Sequence, residues 1–425
     1  MIPLISVIFI LGYAAIALEH PLKINKAASA LVTGVLCWSV FALFSADKEP
    51  VVENLAEHLG GIAGILFFLL GAMVIVELID AHDGFLIITD RIQTTSKKKL
   101  VWIVGLITFF LSAVLDNLTT AIVMVSLLRK IIPLQKERLL YAGLVVIAAN
   151  AGGAWSPIGD VTTTMLWIGG QITTLNIILK TFLASFTCLT IPALLISFQV
   201  KGRIEKEFTK KEVSDSTAKE RSVVFFIGIG ALLFVPVFKT ITHLPPYMGI
   251  LFGLGIMWIV TELIHSGKDE EEKGILSVNH ALRKIDSASI LFFLGILVSV
   301  AALEATYVLH DVAAWLDKTV GDIRLITICI GLLSAVVDNV PLVAAAQGMY
   351  SLEQYPTDHY FWEFMAYCAG TGGSCLIIGS AAGVAAMGME KIEFFWYLKK
   401  IAWMALLGYL AGAGVFIVQQ LLFHT

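Results

Sequence analysis

Long apolar stretches follow one another along this chain, separated by short polar connections. A helix rising about 1.5 Å per residue crosses a hydrocarbon core with about 20 residues. The pattern predicts such segments at 3–18, 26–45, 61–80, 138–172 and 175–200, and again at 221–240, 246–264, 287–306, 360–388 and 394–422. Two more apolar stretches, 100–132 and 323–350, are each interrupted near the middle by an Asp-Asn pair. Amphipathic stretches at 83–96 and 308–320 are expected to lie along the membrane surface. The first segment has no basic residues ahead of it and no small-residue cleavage motif, so Pro3 to Leu18 is expected to be a retained span rather than a signal peptide.

The interruptions repeat. Ser112-Ala113-Val114-Leu115-Asp116-Asn117-Leu118-Thr119-Thr120 returns as Ser334-Ala335-Val336-Val337-Asp338-Asn339-Val340-Pro341-Leu342. Behind it, Asn150-Ala151-Gly152-Gly153 through Ile158-Gly159-Asp160 returns as Gly370-Thr371-Gly372-Gly373 through Ile378-Gly379-Ser380. The chain therefore reads as two related units, 1–200 and 221–425, about 220 residues apart and joined by a cytoplasmic linker at 201–220. Duplicated halves with polar interruptions at membrane depth are the sequence sign of a secondary transporter.

Charge sets the orientation. With the N-terminus outside and each Asp-Asn segment entering and leaving on one side, 24 of the 29 basic residues fall on the inner side, leaving Lys48, Lys180, Lys239, Lys318 and Arg324 outside. Lys97 to Lys99 and Arg129 with Lys130 flank segment 100–132 at both ends, as a re-entrant hairpin requires and a single span forbids. Five full crossings per half then invert the second half relative to the first, so hairpins 100–132 and 323–350 enter from opposite faces and their tips meet near the midplane. The expected architecture is an all-α polytopic membrane protein in an inner cell membrane. It is an inverted repeat of two halves, each with a re-entrant hairpin and a broken helix (138–172 and 360–388), and both termini are outside.

Composition narrows the class. The chain is 58% hydrophobic and 15% charged, against roughly a quarter charged in soluble proteins. No nucleic-acid partner and no cofactor is expected. No nucleophile–base pair or metal motif points to an enzyme. The five cysteines lie within apolar segments with no ligand spacing and are expected to be small buried hydrophobes.

The chemistry sits at the interruptions. Non-helical backbone at membrane depth survives only where protein or a water-filled cavity surrounds it, and unwound helix ends offer carbonyl oxygens to a cation. Asp116, Asp160 and Asp338 each cost at least about 2.5 kcal/mol at the bilayer centre, which a structural cap alone does not require, since Asn or Ser also caps. Thr119, Thr120, Asn150, Ser156, Thr162, Thr163, Thr371, Ser374 and Ser380 add neutral oxygens. Carboxylates with neutral oxygens suit a hard cation such as Na+ or Li+. A desolvated carboxylate that also binds a cation makes proton and cation compete for one place, which is the chemistry of antiport. Glu77 and Glu304 are secondary candidates, either interfacial or parts of a proton relay. His82 and His310 are expected at the interface, and Trp155 is a candidate wall of the site.

At these residues a family becomes visible. Asp-Asn-Leu-Thr-Thr at 116–120, paired with Asn-Ala-Gly-Gly-Ala-Trp-Ser-Pro-Ile-Gly-Asp-Val-Thr-Thr at 150–163, closely resembles the NhaD-type sodium/proton antiporters of the ion transporter superfamily. The resemblance covers essentially the whole chain. It implies two hairpins, two broken helices, an inverted repeat, a homodimer, and Na+ and H+ as transported partners in a lipid bilayer. It carries over Asp116, Asn117, Asn150, Asp160, Thr162 and Thr163 from the first half, and Ser334, Asp338, Asn339 and Ser374 from the second. Dicarboxylate carriers of the same superfamily have Ser-Asn-Thr at the hairpin tips. Aspartate in place of that serine in both halves here repels a dicarboxylate and favours a cation. The alternative is a sodium-coupled symporter of a small carboxylate or other anion.

Overall fold

The computed structural model describes residues 1–89, 92, 94–204, 217–267 and 274–423. Arg91, Lys268, Lys273 and much of the expected linker 201–220 lie outside the described residues. Among the described residues the chain is almost entirely helical, with no strand beyond one isolated bridge between Ser96 and Arg203. The first half contains α1 (Ile2–Ala17), α2 (Lys26–Phe44), α3 (Glu49–Ala81), α4 (Lys97–Ser112), α5 (Asn117–Ile131), α6 (Gln135–Gly153), α7 (Val161–Ile168) and α8 (Thr174–Gln199). The second contains α9 (Ala218–Thr242), α10 (Pro246–Ile264), α11 (Val278–Lys284), α12 (Ser287–Ala305), α13 (Val308–Thr319), α14 (Ile323–Leu333), α15 (Asn339–Met349), α16 (Tyr360–Gly372), α17 (Ala381–Glu390) and α18 (Trp403–Phe423). Seven helices among the described residues are long and apolar enough to cross a membrane. With those lengths and an apolar exterior, this is a multi-pass membrane protein.

The breaks fall where the polar phrases predict them, because a capping side chain restarts the helix at each. Asp116 accepts the Thr119 amide at 2.8 Å ahead of α5, and Asp338 accepts the Val340 amide at 3.2 Å ahead of α15. Asp160 accepts the Thr162 amide at 3.2 Å ahead of α7, and Ser380 accepts the Gly383 amide at 3.2 Å ahead of α17. Each cap satisfies an orphan N–H of the first turn, a group that has no water to turn to at this depth.

Two expectations change. The segment expected at 61–80 begins earlier, at Glu49, because Asp47 accepts the Glu49 amide at 3.1 Å and Pro50 suits a first turn. The stretch 83–96 is not one amphipathic helix: its only helical turn among the described residues is Leu86–Thr89. Asp83 takes a left-handed conformation, φ 55°, and Gly84 closes back onto the Ile79 carbonyl, so the chain leaves α3 in a tight turn.

Helix packing follows matched patterns in the two halves. α2 runs alongside α12, with Gly295 against the backbone of Ala30 and Leu31 and the Trp38 indole donating to the Val298 carbonyl at 2.9 Å. α3 runs alongside α10, with Gly64 facing Tyr247 and Gly71 facing Ile250. α3 and α12 run in opposite directions, since Glu77 near the end of one pairs at 3.0 Å with Lys284, just ahead of the other. The phrase-bearing helices interlock across the halves, α5 on α17 and α7 on α15.

Glycines allow the breaks to nest. A Cβ on Gly152 would lie 2.2 Å from the Phe109 carbonyl oxygen, and one on Gly372 would lie 1.8 Å from that of Gly331. Ser112 donates to the Ala149 carbonyl at 2.6 Å, and its counterpart Ser334 donates to the Ala369 carbonyl at 3.1 Å. A buried ion cluster ties the base of α5 to the end of α17: Glu390, 1% exposed, accepts from Arg129 Nε at 2.7 Å and from Arg138 Nε at 3.0 Å.

The nesting predicts a sharp contrast between two glycines. Gly372→Ala must push backbone away from backbone and should lower the melting temperature of the purified protein strongly, by the equivalent of roughly 2 kcal/mol or more. Gly388→Ala, where nothing lies within 4 Å of the added carbon, should leave it unchanged. Equal melting curves for the two variants would refute the close packing.

Candidate functional site

The two Asp-Asn tips and the first glycine phrase meet at one cavity of about 70 Å³, room for a few waters or a partly hydrated cation. Its polar lining is Asp116, Asn117, Asp160, Thr164, Ser289, Asp338, Asn339 and Lys26, set among apolar side chains from α3 and α12 such as Phe68, Val76 and Phe293. α5 presents Asn117, α15 presents Asn339 and the start of α7 presents Asp160, so three helix N-termini open onto the same space. Such ends stabilise negative charge.

Asp160 is the centre of the arrangement and is 2% exposed. Its Oδ2 accepts from Asn117 Nδ2 at 3.2 Å and from Asn339 Nδ2 at 3.3 Å, one amide from each half. Its Oδ1 accepts the Thr162 amide. Asn117 Nδ2 also donates to Asn150 Oδ1 at 3.1 Å, and Asn150 Nδ2 donates to Ser374 Oγ and to Ser380 Oγ, both at 2.9 Å. A buried carboxylate, three amides and two hydroxyls thus form one network spanning both phrases of both halves. The Thr120 hydroxyl beside it is buried with no hydrogen-bond partner among the described residues. A buried oxygen left without a partner is costly.

The structure sorts the sequence candidates. Asp116, Asn117, Asp160, Asp338 and Asn339 line the cavity, and Asn150 and Ser374 stand behind them. Three others turn to backbone or caps: Thr119 donates to Asp116 Oδ2 at 2.5 Å, Thr163 to the Asp160 carbonyl at 2.9 Å and Ser334 to the Gly331 carbonyl at 2.8 Å. Thr162 gives Asp160 its amide, and its buried hydroxyl has no hydrogen-bond partner among the described residues. Glu77 pairs with Lys284 and does not line the cavity, and its carboxylate holds the Lys284 ammonium above its usual range. Glu304 lies away from the cavity with its Oε2 beside Gly348.

Trp155 is not a wall of the site. It packs with Phe109, Phe110 and Phe182, its ring centroid 5.1 Å from that of Phe182. His310 is exposed, and His82, just past the end of α3, is fully buried within the protein, its Nε2 3.1 Å from Nε2 of His265. Cys37, Cys188, Cys368 and Cys375 are buried, and Cys329 is exposed. Ser380, expected as a neutral oxygen, joins the site, and Lys26 joins it without having been singled out. Ser380 was legible as the partner of Asp160 in the repeat; nothing near Lys26 in the sequence marks it.

Among the described residues no three His, Cys, Asp or Glu side chains converge closely enough to ligate one metal ion together. One carboxylate supported by neutral amide and hydroxyl oxygens is what this site offers, a donor set for a hard cation held reversibly.

The sequence pattern of the citrate transporter family matches residues 13–370. Sodium/proton antiporter 1 of Arabidopsis thaliana is 51% identical over 97% of this chain and 71% of its own length. Sodium/proton antiporter 2 of the same plant is 49% identical over 96% of this chain and 97% of its own length. The Na(+)/H(+) antiporter NhaD of Alkalimonas amylolytica is 30% identical over 98% of this chain and 90% of its own length. The chain belongs to the NhaD-type sodium/proton antiporter family. The family is one of transporters, which agrees with a site built from ion ligands rather than from a nucleophile and a base. The match to residues 13–370 takes in every polar residue lining the cavity, while Ala381 of the lining and Ser374 and Ser380 of the network fall beyond it.

Asn150 joins the two halves through three side-chain partners. Asn150→Ala should destabilise the purified protein by about 2–3 kcal/mol, because the amide and hydroxyls it serves are buried and left unpaired. Thermal unfolding in detergent measures this; a melting temperature equal to that of the wild type would show that the network is not holding the halves together.

Proposed function

We propose that this protein exchanges Na+, with Li+ as a second substrate, for H+ across a membrane by alternating access. The observation that carries the proposal is the buried carboxylate of Asp160, held by one amide from each Asp-Asn tip at a cavity also lined by Asp116 and Asp338. Relatives named sodium/proton antiporters, matched nearly end to end, support it.

The chemistry follows from competition. A carboxylate at this depth is neutral when it holds a proton and charged when it holds Na+, and desolvation and the bound cation pull its affinity for protons in opposite directions. Na+ and H+ then exclude one another from the same oxygens, and a site that opens first to one side and then to the other exchanges them. Asn117, Asn150 and Asn339 hold Asp160 in position, and Asn117 and Asn339 have carbonyl oxygens to offer the ion. The sodium-coupled anion symporter is disfavoured, because three aspartates line the cavity and an anionic substrate would meet their charge. An assay in proteoliposomes separates the two: Na+ should dissipate a preformed proton gradient with no organic anion present, citrate included.

The architecture that supports alternating access is an inverted repeat, 1–200 and 221–425, joined by a cytoplasmic linker at 201–220. The helix-break-helix segments 100–132 and 323–350 are re-entrant hairpins opening to opposite faces. The antiparallel course of α3 and α12, and the matched packing of α2 with α12 and α3 with α10, support that symmetry. The charge distribution supports a cytoplasmic linker and external termini, in an inner membrane, and the family resemblance supports a homodimer.

The inverted arrangement is tested by labelling. Cysteines introduced as Lys98→Cys and Gln135→Cys should react with an impermeant reagent only from the cytoplasm, and Gly321→Cys and Gln354→Cys only from outside. All four positions are exposed. Reaction of all four from one side would remove the inverted repeat.

The shared site is tested by charge removal and by pH. Asp160→Asn keeps the size and the cap but cannot ionise, and it should abolish Na+-driven proton movement in membrane-inserted protein. Asp116→Asn and Asp338→Asn should do the same or nearly so. In the wild type the apparent KM for Na+ should rise as pH falls, because protonation fills the carboxylate that Na+ needs. An apparent KM flat across the working pH range, or full exchange in Asp160→Asn, would sink the mechanism.

A further inference from the structure

Lys26 is the one cationic side chain among the cavity-lining residues. It opens α2, whose start is capped by Asn25 accepting the Ala27 amide at 2.8 Å, and its own amide donates to Glu19 Oε1 at 3.1 Å. Both bonds fix the backbone and leave the side chain to reach into the cavity. There its Nζ lies 3.5 Å from Asp338 Oδ2 and 4.3 Å from the centroid of the Phe292 ring.

The pair is loose. A tight ammonium–carboxylate bond runs about 2.7–2.9 Å, and this one is longer, with both side chains partly accessible, 31% for Lys26 and 21% for Asp338. The lysine ammonium is a compact point charge on a flexible stem with rotatable donors. To Asp338 and the aromatic face of Phe292 it presents what a small hydrated cation presents. The other carboxylates on the cavity, Asp116 and Asp160, have no cationic side chain among the lining residues. Asp160 is held by amides, and Asp116 by the Thr119 amide and hydroxyl.

We propose that Lys26 is a tethered competitor for the transported cation: its ammonium occupies Asp338 while the site holds no Na+ and is displaced from it as Na+ binds. The proposal rests on the Na+/H+ exchange reading. Two cations on one carboxylate repel, so each binding event displaces the other. Lys26 therefore weakens Na+ binding, speeds Na+ release, and keeps the emptied site from carrying an unpaired Asp338. It also links α2, which packs on α12, to the tip of α15, so ion occupancy changes a contact between the helices that carry the Asp-Asn phrases and those that do not.

The test uses purified full-length protein at about pH 8.5, where ordinary carboxylates are ionised and amines protonated, with Na+ binding followed by isothermal titration calorimetry. Lys26→Gln and Lys26→Met should bind Na+ about three- to tenfold more tightly than the wild type. In proteoliposomes the same variants should show a lower half-saturating Na+ concentration and a lower maximal rate. Lys26→Arg should stay within about twofold of the wild type. Lys26→Cys should behave like Lys26→Gln, and attachment of an ethylammonium group to that cysteine should restore the wild-type affinity.

A residue that merely starts a helix would change stability and leave Na+ affinity alone. Unchanged or weaker Na+ binding in both neutral variants overturns the proposal. If those variants do not fold, the wild type decides. Modification of Lys26 by an amine-reactive reagent, read by mass spectrometry, should increase as Na+ saturates, and modification indifferent to Na+ overturns it. A wild type that binds Na+ and exchanges it while the neutral variants keep its affinity removes Lys26 alone. A wild type that binds no Na+ overturns the exchange reading as well.

Discussion

One carboxylate sets the terms for the rest of this molecule. Asp160 is buried where lipid-facing sequence tolerates no charge, and it stays there because amides from two distant parts of the chain, Asn117 and Asn339, donate to the same oxygen. A buried charge is stable only when paired or fully hydrogen-bonded. The tips of α5 and α15 therefore have to arrive together, and α7 has to begin where it does so that its first amides face the carboxylate. Removing either tip would leave the charge partly bare, so the two halves are bound to each other by an electrostatic requirement as well as by packing.

Close backbone approach makes that convergence possible. Gly152 and Gly159 let the first break nest against the end of α4, and Gly372 and Gly379 do the same against α14. Ser112 and Ser334 then reach the Ala149 and Ala369 carbonyls. Further from the cavity, Glu390 takes two arginines from α5 and α6. A buried carboxylate with two guanidiniums is a weak source of net stability and a strong source of register, because a misaligned pair leaves a buried charge unmatched. The cluster thus fixes how α17 meets α5, and with it how the second glycine phrase meets the first Asp-Asn tip.

Much of this was legible from residue types. Asp, Asn, Gly and Ser within apolar runs mark breaks because their physics is local: a cap needs only the next turn, and a glycine only its own backbone. The breaks at 116, 160, 338 and 380 follow directly, and a single sequence also revealed their pairing, because the phrases repeat. Contacts between remote segments were less legible. Lys26 looked like one more inner-side positive charge, and its role depends on α2 lying against α12. His82 looked interfacial, and its burial depends on His265 at the end of another helix. Trp155 sits inside a diagnostic phrase, yet its ring turns toward Phe109 and Phe182, because side-chain direction on a broken helix is set by what packs beside it. Thr119, Thr163 and Ser334 have the oxygens of ion ligands, but their hydroxyls are taken by nearby acceptors, as hydroxyls next to helix starts often are.

The departure from symmetry is as informative as the repeat. Ser380 stands where the first half has Asp160, and its hydroxyl accepts from Asn150. Two aspartates at those places would face each other across the network with only neutral amides between them, and like charges that close in a medium of low polarity hold on to a proton. Serine on one side keeps a second carboxylate out of the network, and its hydroxyl steadies the Asn150 amide that supports Asn117 beside Asp160. The tips keep an aspartate each, and there the asymmetry comes from outside the repeated phrases: Lys26 pairs with Asp338, while Asp116 is held by the Thr119 amide and hydroxyl. A site built on two repeated phrases thus holds three carboxylates in three different surroundings, amide-bound, hydroxyl-bound and ammonium-paired.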